Sequence, residues 1–94
     1  MSDIRTALSN QRNRLFQEYP IKSMAIFGSY SRGENTVESD LDVLVEIDGN
    51  IGIRFIDLAD EIEEIVGLKV DLVSKNGIKD GYLKAINPDL IYVY

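Results

Sequence analysis

"IFGSYSRGENTVESDLDVLVE", residues 26–46, carries a Gly-Ser pair at the end of one apolar run and Asp40-Leu41-Asp42 at the start of the next. Aspartate is depleted in strands, so two of them opening one strand call for a reason. The run before the pair, Ser23 to Phe27, is too short for a helix and stops at Gly28, which makes it a buried strand. Ser29 is placed to cap a short helical turn running through Arg32. Residues 33–39 have loop character, and residues 40–47 form a second strand that ends at the turn signal Asp48-Gly49. About a dozen residues between the two strands leave room for one helical turn but hardly for a full crossover helix. A mixed sheet is therefore expected.

Outward from this stretch, Ile4, Ala7, Leu8, Gln11, Leu15 and Phe16 fall at helical spacing over residues 3–18, with Ser2 as N-cap and Pro20 beyond the end. Residues 53–66 repeat the pattern with Ile53, Phe55, Ile56, Leu58, Ala59, Ile62, Ile65 and Val66, and Gly67 closes that helix. Lys69 to Ser74 reads as a third strand and Ile78 to Ile86 as a short helix stopped before Pro88. Leu90 to Tyr94 is either a last strand in the sheet or an exposed edge for a partner. Alternating helices and strands give an α/β (α+β) fold: a mixed sheet flanked by helices in one small domain spanning residues 1–94. Neither a linker nor an internal repeat interrupts the chain.

Composition narrows the chemistry. The chain has 94 residues, with 45% hydrophobic and 28% charged, an ordinary globular balance. It has no cysteine and no histidine, which removes thiol nucleophiles, disulfides, Cys/His zinc sites and histidine-based triads. Catalysis must use carboxylates and hydroxyls. Ten Lys and Arg against 16 Asp and Glu give a net charge of −6, which repels a long nucleic acid but not a single nucleotide arriving with its cations. No apolar run approaches the roughly 18 residues of a membrane span, so a cytoplasmic setting without membrane attachment is expected. So short a chain leaves little room for a lid, and its site should be shallow or completed by a partner.

Asp40 and Asp42 are two apart, so on a strand they project to one face roughly 7 Å apart along the backbone. Two like charges at about 4 Å repel by roughly 4 kcal/mol at an effective dielectric of about 20, and a hard divalent cation held by oxygens is the simplest counterweight. The competing reading puts Asp40 in the preceding loop and leaves only Asp42 unusual. Asp71 interrupts the apolar strand Val70 to Val73 in the same way; alone it reads as a solvated edge residue. If that strand neighbours the second, three carboxylates meet, the makings of a two-metal site. Gly28 and Ser29 read either as a helix cap or as a turn whose backbone approaches a phosphate. Arg32 could reach the same phosphate or stay at the surface. Gly28 to Gly33 has the glycine spacing of a P-loop, but Glu34 and Asn35 stand where Lys and Ser/Thr are required. Asp40-x-Asp42 likewise fails as an EF-hand because Leu44 and Val45 occupy its third-ligand and glycine positions. Asp57, Asp60, Glu61, Glu63 and Glu64 follow the polar face of a helix, and the tyrosines read as packing or surface groups.

Gly28-Ser29, ten residues, Asp40-x-Asp42, then a helix and Val70-Asp71-Leu72-Val73 resembles the nucleotidyltransferase superfamily that includes DNA polymerase beta, and within it the minimal nucleotidyltransferases. The resemblance covers residues 22–75; Ser31 departs from the alanine more usual before the Arg-Gly matched by Arg32-Gly33. It implies transfer of a nucleoside monophosphate from a nucleoside triphosphate, with ATP as the expected donor, to a hydroxyl. Asp40 and Asp42 would hold two Mg²⁺ ions, Asp71 would bind the ion that activates the hydroxyl, and Gly28 and Ser29 would hold the triphosphate. Small members are commonly paired with a HEPN-domain protein, which implies an antitoxin that adenylylates a HEPN toxin. The competing expectations are a non-catalytic module that masks its partner and a small-molecule modifier, the latter lacking its usual acceptor-binding domain.

Overall fold

Valine, isoleucine and leucine at alternate positions build the sheet, and the order of its strands positions everything else. The computed structural model describes residues 2–94, without the Ser2 side chain, so the cap expected there lies outside the described residues. The elements are α1 (Ser2–Asn10), α2 (Arg12–Glu18), β1 (Ile21–Phe27), α3 (Ser29–Arg32), β2 (Leu41–Ile47), α4 (Arg54–Val66), β3 (Val70–Ser74), α5 (Asp80–Ile86) and β4 (Ile91–Tyr92). Short 3-10 turns follow β3 and α5.

The sheet order is β3-β2-β1-β4. β1 runs antiparallel to both β2 and β4, while β2 and β3 are parallel. The mixed sheet expected from the short β1–β2 connection is what forms. β2 and β3 run parallel because α4 carries the chain back across the sheet between them.

Side chains alternate across the sheet and divide it into two unequal faces. Met24 and Ile26 of β1 join Leu41, Val43, Val45 and Ile47 of β2 in the main core, which is closed by Leu8, Leu15, Leu58 and Ile62 of the helices. Phe27 and Leu44 point to the other face, where Ile86 of α5 packs on them in a small satellite cluster. That face is only partly covered, and Asp42 and Asp71 lie on it by alternation.

Two helices differ from the sequence reading, and the C-terminal segment takes one of the two forms that reading left open. The first helix is two helices, because Gln11 N–H reaches back to the Leu8 carbonyl (3.1 Å) instead of continuing the i−4 ladder. Both Leu8 and Leu15 remain fully buried across the break, so the apolar period does not reveal it. The helix read over residues 78–86 begins at Asp80, after a 3-10 turn at Lys75–Gly77. The C-terminal strand is short and paired: Ala25 faces Tyr92 and Ile26 faces Ile91, while the Tyr94 hydroxyl donates to the Leu8 carbonyl at 3.3 Å. Gly67 does close α4, with φ 69° and its N–H on the Glu63 carbonyl.

Candidate active site

The site is built where the ends of three strands meet. β1 ends at Phe27, directly opposite Asp42 of β2, and Asp42 is in turn in register with Asp71 of β3. Adjacent strands lie about 4.8 Å apart, so the two carboxylates leave the same face of the sheet as immediate neighbours. The adjacency left conditional in the sequence is met. Leu41 N–H donates to the Lys69 carbonyl at 2.8 Å and sets the register at this end of the ladder.

Gly28 follows Phe27 with φ 75° and ψ −150°, backbone that only glycine adopts readily. A Cβ at this position would overlap the Asp42 Oδ2 and come within 3.1 Å of its Cγ. The missing side chain is thus the room in which the Asp42 carboxylate sits. Gly28 also occupies the N-cap position of α3, and no side chain caps that helix, so the capping role considered for Ser29 is not what forms. Instead the Ser31 hydroxyl donates to the Gly28 carbonyl at 3.0 Å and ties the turn to itself. Ser29, partly exposed, opens α3 immediately after that glycine.

Burial holds the Asp42 carboxyl above the usual carboxylate range, and the charges of Asp71 and Asp40 push it further up, against an opposing pull from Arg32. A carboxylate raised by burial and by like charges is one that a cation bound beside it would return to its ionised form. Asp40 lies one residue before β2 and is exposed, so the loop reading describes its backbone, although its charge still reaches Asp42. Among the described residues no three acidic groups are already gathered tightly enough to cage an ion. The donor set is nonetheless all oxygen, on adjoining backbone segments, and suits a hard divalent cation. Arg32 points to partners that its sequence position does not announce: its Nε donates to Glu34 at 2.6 Å and its Nη1 to Asp89 at 2.8 Å. Asp89 had no signal in the sequence, being 57 residues away in an Asn-Pro-Asp turn.

The sequence matches the nucleotidyltransferase domain family over residues 8–92. A Methanocaldococcus jannaschii protein with the provisional name of a protein adenylyltransferase is 45% identical, covering 99% of this chain and 97% of its own. A solved structure provisionally described as a minimal nucleotidyltransferase superposes with a TM-score of 0.77 at 28% identity, over 92% of this chain and 89% of that one. A chain from the Shewanella oneidensis complex of a tri-AMPylated HEPN toxin with an MNT antitoxin shares the fold, with a TM-score of 0.67 at 19% identity over 96% and 71% of the two chains.

Proposed function

The chain belongs to the nucleotidyltransferase domain family, and from that membership we propose that it transfers AMP from ATP to a hydroxyl of a protein partner, as the antitoxin of a HEPN toxin. The observation that carries this reading is the register of Asp42 with Asp71 beside the Gly28 turn: two carboxylates facing a place where backbone can approach phosphate. The name of the M. jannaschii relative and the AMPylated toxin of the S. oneidensis complex support the choice of AMP and of a protein acceptor.

In this reaction the acceptor hydroxyl gives up its proton to a neighbouring carboxylate or to solvent, its oxygen forms a bond to the α-phosphorus, the bond from that phosphorus to the α,β-bridging oxygen breaks, and pyrophosphate leaves. Asp40, Asp42 and Asp71 would hold Mg²⁺, which supplies the positive charge that offsets these carboxylates and the charge growing on the attacking and leaving oxygens. The Gly28 turn, free of a side chain, lets Ser29 and the neighbouring N–H groups lie against the triphosphate. The aspartate face is only partly covered, so the partner's own surface would exclude water around the acceptor hydroxyl.

Purified chain, Mg²⁺, labelled ATP and a HEPN-domain partner test this directly, alongside the Asp40→Asn/Asp42→Asn double variant. Label on the partner with wild type alone is the expected result. A stable, unlabelled complex with folded wild-type protein, all four nucleotides having been tried, would replace transfer with masking.

A further inference from the structure

The exposed ion pair between Arg32 and Asp89 ties the turn after β1 to the turn before β4, two segments far apart in sequence that the β1–β4 pairing brings near each other. Arg32 ends α3, the helical turn that follows Gly28, while Asp89 ends the 3-10 turn Asn87–Asp89 between α5 and β4. The link closes a ring of contacts. Phe27, which precedes Gly28, packs with Ile86, and three residues beyond Ile86 stands Asp89.

Pairs this exposed contribute little to stability, so the geometry is the informative part. Arg32 is held on two sides, by Glu34 at Nε and by Asp89 at Nη1. Among the described residues its Nη2 has no partner. A guanidinium is a rigid plane with donors in a fixed fork, so anchoring two nitrogens sets the direction of the third. Asp89 is the firmer anchor, its side chain being 24% exposed against 62% for Glu34. The Arg32 charge already acts on Asp42, which places it within range of the acidic site.

We propose that Asp89 is a positioning residue for nucleotide binding: with Glu34 it holds the Arg32 guanidinium so that Nη2 meets a phosphate lying on the Gly28–Ser29 turn. This inference rests on the function proposed above and extends the binding surface to the C-terminal segment. Asp89 itself touches no substrate, and it acts by setting the angle of the arginine.

The test uses the full chain, Mg²⁺ and ATP, with affinity read by calorimetry and melting temperature read in parallel. Asp89→Asn should weaken ATP binding about fivefold, the scale of one well-placed exposed ionic contact, with the melting temperature unmoved. In transfer assays the KM for ATP should rise while kcat holds. Arg32→Lys should show the same loss, because an ammonium cannot bridge two carboxylates and still offer a directed third donor. The exchange Arg32→Asp/Asp89→Arg keeps the pair's charges but moves the arginine, and it should not recover affinity. Wild-type ATP affinity in Asp89→Asn, or its recovery in the exchange variant, would overturn the inference while leaving nucleotidyltransfer intact. A folded wild-type chain that binds no ATP would overturn the parent reading and this one with it.

Discussion

Gly28 shows how much one missing side chain can determine. Its φ and ψ belong to a region that costs other residues of order 1–3 kcal/mol, and the space of its absent Cβ is taken by the Asp42 carboxylate. Gly28→Ala should therefore lose about 1–3 kcal/mol in chemical denaturation and also lose transfer, because the backbone and the carboxylate cannot both stay in place. An alanine variant of full stability and activity would show that the turn relaxes freely. Asp42 gives the opposite sign. Its raised proton affinity means that the folded chain binds that proton more tightly than the unfolded chain, so the ionised group is a cost at neutral pH. Asp42→Asn should abolish transfer yet melt above wild type at pH 7, and the gap should close as pH falls through the raised range of the wild-type carboxyl. A variant that melts lower at pH 7 would mean that the ionised carboxylate makes a stabilising contact. That Gly28, Asp42 and Asp71 come together was legible in the sequence because each breaks a local rule. Asp89 breaks none, and only the folded chain reveals it.

At the scale of elements, α4 is the connection that makes β2 and β3 parallel, and its two fully buried residues, Leu58 and Ile62, seat it on the sheet. Ile62→Ala should cost about 2–5 kcal/mol in urea denaturation, and ATP affinity measured below the transition should stay near wild type because the site lies on the other face. Loss of affinity without loss of stability would show that the helix reaches the site directly. Strand and helix identities were readable from periodicity, since each is a local pattern. The break at Gln11 was not, because one backbone bond changes while Leu8 and Leu15 keep their spacing and burial. The pairing of β4 was also beyond local pattern, for it depends on Met24, Ala25 and Ile26 more than 60 residues earlier.

For the whole molecule, the weakness expected on titration lies in alkali. Burial pushes the Tyr94 phenol up to about 12, and burial together with the neighbouring Glu61 carboxylate does the same for Tyr19. The folded chain thus holds both phenolic protons more tightly than the unfolded chain does. Their contribution is complete below about pH 10 and is lost as pH rises toward 12. The denaturation midpoint should fall across that window, and less steeply in Tyr94→Phe; an equal slope in that variant would remove Tyr94 from the effect. The net charge of −6 adds self-repulsion in the same direction as the tyrosines ionise. Finally, the row Phe27–Asp42–Asp71 draws on three segments of the chain, and no one of them contains the site. At the proposed site nucleotide affinity should therefore appear only after these distant closures are complete, late in folding, and a fragment without the β2–β3 pairing should show none. A ligand bound there would stabilise the finished chain alone, so under the proposed function ATP should report completed refolding and selectively favour the native state.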